Sequence, residues 1–474
     1  MKQFHVRSSV AAALGFALLC IMAGAASAQD VTTYTRPTFE QWFEKYKDAK
    51  PDFKPGDVLT WKDHERMRPF VIPGYLEQLN FPEFRMKIIP TQDHTPRKDF
   101  MDCTEKYQAQ VRLKPDHTMA NYVCGQPFPN SSLKPGDPDS AWKAAWNFEY
   151  RWQNFGLWTA LWQPIWVRFG GTHSGFPNEG SPPADWIAPV KGSMPIPHDT
   201  SSIYGGGGTF QRVLNSAYQR TYYTHLAQMS AKGGTLPIPD AKRFEYKEFT
   251  GFYSPFDIRG TAFIVYRYSD PFREDDAWAY IPALRRVRRI SAEVKSDSLL
   301  GTDHTIEDFY GFAGRELEWQ WKFLGWKDML CVQDSAHTYS EFYGPNGVIP
   351  NDVWSVRKFA VVERFPTFSR HPYSAVLNTF DSQNWDSWWE VAFDRSGKLW
   401  KEWEYMKKWS ETYNGEWAAI NHGLDITTFQ SVDVFDLQNH RATLGVSIGI
   451  GYPDYDVKAT EALFDIGNLE TVHR

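Results

Sequence analysis

The 474-residue sequence predicts a β-rich α+β fold built on one large antiparallel sheet, and three observations carry that reading. Strict alternation runs through "RELEWQWKF" (Arg315 to Phe323). Leu317, Trp319, Trp321 and Phe323 face one way there, and Glu316, Glu318, Gln320 and Lys322 the other, as in a sheet with one buried and one wet face. Strand-like runs then follow one another: "GTAFIVYRY", "RKFAVVERF", "SWWEVAF", "KLWKEWEYM" and "ITTFQSVDVFDL", two of them joined by the turn "DRSG" (Asp394 to Gly397). No βαβ alternation occurs, which argues against a parallel nucleotide-binding sheet.

In chain order, the first element reads as a leader. Lys2 and Arg7 precede an apolar run from Val10 to Ala23, and Ala26-Ser27-Ala28 has the small-x-small form of a cleavage site. The expectation is a signal peptide over residues 1–28, cut after Ala28, and a periplasmic protein. Leu19 before Cys20 does not suit lipid attachment. No later stretch is apolar for long enough to cross a bilayer as a helix. The net charge of −6 becomes two units more negative without Lys2 and Arg7, which excludes general nucleic-acid binding and makes any anion site a local one.

"RPTFEQWFEKYKDAKPDFKPGD" reads as a short helix ending before Pro51. "FRMKIIP", "KYQAQVRL" and "HTMANYVCGQPFP" read as strands and connections, with a hairpin turning at "KPDH" (Lys114 to His117). A regular register about that turn offsets Cys103 from Cys124 by roughly 13 Å along a strand, too far for a disulfide unless the strand bulges or ends early. The pairing stays open at this point. "DPDSAWKAAWNFEYRWQNFG" predicts a helix with Asp137 as N-cap, Pro138 in its first turn and Gly156 at its end. Gly170 to Gly208 reads as a long Gly/Pro-rich loop, and "FQRVLNSAYQRTYYTHLAQMS" as a helical stretch. A helical and Gly/Pro-rich insertion is thus expected at about 137–245, and the main sheet at about 247–440.

Catalytic signatures are sparse. "GTHSGF" lacks the glycine that a nucleophile elbow needs two residues before Ser174. "HERMR" lacks the second histidine of a zinc helix, and the glycine run Gly205 to Gly208 has no phosphate-loop lysine. Nothing calls for a cofactor. "GTDHTIEDF" is the best metal candidate, through Asp303, His304 and Asp308 with Glu307 beside them. The competing reading of these residues is a polar turn cap between strands. The 21 Trp, 23 Tyr and 33 Phe supply either a ring-rich core or a wide apolar concavity.

One stretch concentrates charge: "DDAWAYIPALRRVRRI" (Asp275 to Ile290). Trp278 and Tyr280 read as part of a sheet wall broken at Pro282. On a following strand Arg286 and Arg288 point to one face, Arg285 and Arg289 to the other. The arginines either pair with Glu274, Asp275, Asp276, Glu316 or Glu318, or hold an anionic headgroup or partner at the rim of a concavity.

From "PFDIRG" through this stretch to "EWQWKFLG", and again in "NYVCGQPFP", "AWNFEYRW" and "SVDVFDLQNHRAT", the sequence resembles domain-of-unknown-function family 1329. Members are often labelled outer-membrane lipoprotein-sorting proteins, and the family is similar to the LolA/LolB lipoprotein carriers. The resemblance implies a single elaborated domain over 29–474, with the sheet curved into an incomplete barrel covered by helices around an apolar cavity. It also implies traffic of a lipophilic molecule or acyl chain, alongside exporter-type permeases and outer-membrane proteins. Leu317, Trp319, Trp321 and Phe323, with Trp278 and Tyr280, are then the candidate cavity residues. Three functions follow: a non-catalytic carrier, an accessory subunit of an envelope transporter, or an enzyme on a lipophilic substrate working through Asp303, His304 and Asp308.

Overall fold

The computed structural model describes residues 31–153, 156–172, 207–290, 295–452 and 455–469. The expected leader and most of the Gly/Pro-rich loop lie outside the described residues.

Sixteen strands form one sheet. In chain order they are β1 (Val58–Thr60), β2 (Arg85–Ile88), β3 (Leu157–Thr172), β4 (Gly207–Val213), β5 (Asn215–Tyr222), β6 (Phe244–Ser254), β7 (Ala262–Tyr268) and β8 (Asp276–Ile281). The rest are β9 (Arg286–Ile290), β10 (Trp319–Cys331), β11 (Val353–Pro366), β12 (Tyr373–Asp381), β13 (Ser387–Asp394), β14 (Leu399–Trp409), β15 (Thr427–Asp436) and β16 (Arg441–Tyr452). From β11 to β16 they form the expected meander. β16 then pairs with β3, and the sheet continues through β5, β6, β7 and β8 to a free edge at β9. β10 runs along β11, whose first residues also take β2 as a parallel neighbour. Every other pairing is antiparallel. The two ends of the sheet do not meet, so the barrel is incomplete.

Alternation along the meander buries both faces. Ala375 and Leu377 of β12 and Val391 and Phe393 of β13 point into a core closed by the N-terminal segment, where Phe39, Phe43, Tyr75 and Leu76 are buried. Val376 and Phe380, with Trp403 and Tyr405 of β14, point the other way, into a core closed by the helix α3 (Pro138–Glu149). Two further helices of more than two turns, α1 (Arg36–Tyr46) and α2 (Lys98–Tyr107), precede it, and α4 (Val457–Leu463) follows the last strand. As expected, Asp137 caps α3 by accepting from the Asp139 N–H, and Pro138 stands in its first turn. The helix stops at Glu149, seven residues before Gly156.

Three sequence readings are corrected. Cys103 lies on α2, not on a strand, and is disulfide-bonded to Cys124 with their Cα atoms 5.6 Å apart. A helix advances about 1.5 Å per residue and a strand about 3.3 Å, so the extended offset that argued against the pair never develops. Only Arg112–Leu113 and Met119–Ala120 pair around the expected turn. The stretch read as helical, "FQRVLNSAYQRTYYTHLAQMS", is β4, β5 and a 3-10 turn at Ala227–Lys232. All eight residues of β5 are buried, so no polar face marks the period of two. Finally, the "RELEWQWKF" strand starts at Trp319, because Glu316–Glu318 form a 3-10 turn.

A candidate ligand cavity on the concave face

Cross-strand register builds the site. On one face Tyr218 of β5 stands opposite Thr250 of β6, and Thr250 opposite Phe263 of β7. One step along, Arg220 opposes Glu248, Glu248 opposes Val265, Val265 opposes Ala277 of β8, and Ala277 opposes Ile290 of β9. These residues, together with Trp158 and Trp162 of β3 and Phe429 and Val432 of β15, line one cavity of about 110 Å³. Strands that far apart in the sheet share a lining because this part of the sheet curls around it. One buried water needs roughly 10–15 Å³ on this measure, so the space takes about seven to eleven groups of water or methylene size.

The segment from Lys295 to Ala313, between β9 and β10, closes the concavity with Leu299, Ile306, Phe309 and Tyr310. Buried polar contacts pin it to the meander. Asp303 pairs with Arg441 at 2.6 Å and accepts from the Thr443 hydroxyl at 2.9 Å. Asp308 pairs with Arg364 at 3.1 Å and accepts from Tyr373 at 2.9 Å. Glu307 meets His371 at 2.8 Å. Asn378 donates to the Gly311 carbonyl at 2.7 Å, and Lys401 to that of Asp303 at 2.9 Å.

One ion pair stands in the wall. Arg220 meets Glu248 at 2.9 Å, and the Tyr218 hydroxyl donates to the same carboxylate at 3.0 Å. The guanidinium lies 4.0 Å from the Tyr246 ring centroid and 4.8 Å from that of Tyr310. Burial works against this charge, but Glu248 and the surrounding tyrosines outweigh it and hold Arg220 well above its usual pKa. Behind the wall, Arg267 bridges Asp275 (3.0 Å) and Glu149 (3.4 Å). Burial, then the charge of Glu149, pushes the Glu245 carboxyl nearby up to about 8. The lining residues that keep some exposure come from β6–β9, among them Thr250, Phe263, Val265, Ala277 and Ile290, and from the closing segment, with Lys295, Leu299 and Ile306, so the mouth lies between β6–β9 and that segment.

The residues singled out from sequence fall in four places. Trp319, Trp321 and Phe323 are buried in the packed layer beneath α3, with Leu317 half-buried beside them, and none of the four lines the cavity. Their alternation reports burial, and a helix rather than empty space covers them. Trp278 and Tyr280 occupy the opposite face of β8 from Ala277, against Leu463, Phe464 and Leu469 at α4. Arg286 and Arg288 stand on the cavity face of β9, in line with Ile290, and are exposed. Arg289, on the other face, pairs with Asp276.

Asp303, His304 and Asp308 do not converge: each carboxylate already has its own cation, and burial followed by Lys401 lowers the His304 pKa to about 3. Among the described residues no group of His, Cys, Asp and Glu is placed to hold a metal ion. Sequence reasoning missed Tyr218, Arg220, Tyr246 and Glu248. The spacing of Tyr218, Arg220 and Tyr222 at every second position was the available signal.

A family model described as "Protein of unknown function (DUF1329)" matches residues 60–174 and 200–461. The chain belongs to this family. Among solved structures, a putative outer membrane lipoprotein-sorting protein domain from Vibrio parahaemolyticus is similar at 16% identity and a TM-score of 0.42, over 70% of this chain and 100% of that one. A DUF1329 protein from Desulfovibrio piger is similar at 15% identity and 0.41, over 69% and 96%. A LolA superfamily protein from Nitrosomonas europaea is similar at 12% identity and 0.32, over 66% and 92%. No curated protein matches the chain. No helix among the described residues is long and apolar enough to cross a membrane.

Proposed function

We propose that this DUF1329 protein is a periplasmic, non-catalytic carrier that holds a lipid, an acyl chain or another lipophilic molecule on its way to or from the outer membrane. The observation that carries the reading is the aromatic-walled cavity on the concave face, with a mouth beside two arginines that have no ion-pair partner among the described residues. Filling it with about eight methylenes contributes roughly 6 kcal/mol at about 0.8 kcal/mol each, a dissociation constant of some tens of micromolar before any headgroup contact. Arg286 and Arg288, exposed beyond the mouth, would meet an anionic headgroup there. The competing reading, an accessory subunit of a transporter, calls for a solid interior here.

The test is to close the cavity. Ala277 lines it between Val265 and Ile290 in the cross-strand row and keeps some exposure, so Ala277→Trp fills the space from the mouth side. The variant should fold normally and lose binding of a fluorescent fatty-acid probe at least tenfold. Unchanged probe binding by a folded Ala277→Trp protein would refute the carrier assignment to this cavity.

A further inference from the structure

The strand ends next to the cavity carry exposed apolar tips that cargo binding does not use. The antiparallel order of β6 to β9 brings the β6–β7 turn and the β8–β9 turn to the same end of the sheet, two strand spacings or about 10 Å apart. Phe256, on the first turn, is 87% exposed, and Ile281 and Leu284, at the second, are 37% and 45% exposed. Around these apolar tips stand Arg259, Arg285, Arg286 and Arg288, all exposed. Among the described residues none of the four has an ion pair, whereas the acid on the first turn, Asp257, is taken by Arg212 at 2.6 Å. A net-negative chain thus gathers unneutralised positive charge at one end, collaring protruding apolar side chains.

We propose that this end docks on a bilayer containing anionic phospholipid, with Phe256 and Leu284 entering the headgroup region and the arginines meeting phosphates. Charge complementarity selects an anionic surface. The shape selects a fluid one: the tips project from two separate turns, and a membrane closes around such prongs without a complementary groove. Arg286 and Arg288 continue from the docking end down the cavity face of β9 to Ile290 at the mouth, so docking would bring the cavity opening close to the lipid surface. This deepens the carrier reading by naming the partner surface, and the experiment separates the two.

Co-sedimentation of the purified full chain with vesicles of mixed phosphatidylcholine and phosphatidylglycerol, against phosphatidylcholine alone, tests the inference. Binding should require the anionic lipid and weaken with salt. Arg286→Ser/Arg288→Ser should lower affinity roughly twenty-five-fold, each arginine near the surface supplying about a factor of five. Phe256→Ser/Leu284→Ser should lower it at least tenfold while leaving fatty-acid probe binding intact, so that loss of docking and loss of carrying are read apart. Equal binding to both vesicle types, no binding to either, or full binding by both variants would overturn the proposal. So would a stoichiometric protein cross-linked in the cell envelope to a photoreactive residue at position 256, with no lipid cross-link.

Discussion

Replacing Arg364 by Met probes what keeps the cavity's closing segment in place. Arg364 is fully buried and spans the two sides of that contact. It meets Glu390 at 2.5 Å and Asp308 at 3.1 Å, donates to Asn378 at 3.0 Å, and lies 4.1 Å from the Trp319 ring centroid. Met keeps most of the apolar volume and removes the cation, leaving Asp308 and Glu390 facing each other. Burial pushes Glu390 well above the usual carboxylate range, which favours its neutral form once the cation is gone, and it keeps its bond from the Tyr405 hydroxyl at 2.8 Å. The lost charge compensation falls on Asp308, which retains the Thr305 and Tyr373 hydroxyls and the more distant Lys401 charge. Breaking a buried pair from one side costs about 3–5 kcal/mol. Unfolding entropy near 2 cal/mol/K per residue amounts to about 1 kcal/mol/K for this chain, so the melting temperature should fall by roughly 3–5 °C. Differential scanning calorimetry at pH 7 measures this. Adding Asp308→Asn to Arg364→Met should restore more than half of the loss, and the Arg364→Met protein should release bound probe faster than the parent. A change below about 1 °C would refute the argument that this contact pins the segment.

Other expectations follow from individual groups. Asp433 is fully buried between β14 and β16, and burial pushes its carboxyl up to about 8. A raised folded-state pKa gives stability that is complete below the unfolded value near 4 and is lost as pH rises towards 8, so Asp433→Asn should flatten this part of the pH–stability curve and raise the melting temperature at pH 8. An unchanged curve would remove Asp433 from the account. The Cys103–Cys124 bond closes a loop with a sequence separation of 21, and replacing both by Ala should cost about 3 kcal/mol in denaturant unfolding. Gly445→Ala places a Cβ 2.3 Å from the Val432 carbonyl oxygen and 2.7 Å from the Trp162 indole nitrogen, so it should destabilise the β15–β16 pair beside the cavity and reduce soluble yield. Equal yield and stability would show that those strands move apart freely.

Much of the fold was legible because one physical signal dominated it. β11, β13, β14 and β15 could be read from their β-branched and aromatic runs and the Asp394–Gly397 turn, and α3 from its cap, whereas β12 was not among the expected strands. The misreadings share a cause. β5 buries every residue, so its period of two is invisible in a hydrophobicity pattern. Trp319, Trp321 and Phe323 show the right alternation, but alternation says that a face is covered and not by what: α3 covers it here. The cavity is assembled from strands far apart in sequence, through pairings such as β16 with β3 that no local pattern encodes. Arg286 and Arg288 were placed on the correct shared face because two positions on one strand suffice for that. Their neighbourhood, with Phe256 from another turn, needed the register.

Native mass spectrometry of the protein purified from its native cells, followed by solvent extraction, tests the central claim most directly. The account predicts a defined lipophilic species at near-unit occupancy in the wild-type chain, absent from Ala277→Trp. A clean unliganded mass for the wild type, with no uptake from a total lipid extract, would contradict it.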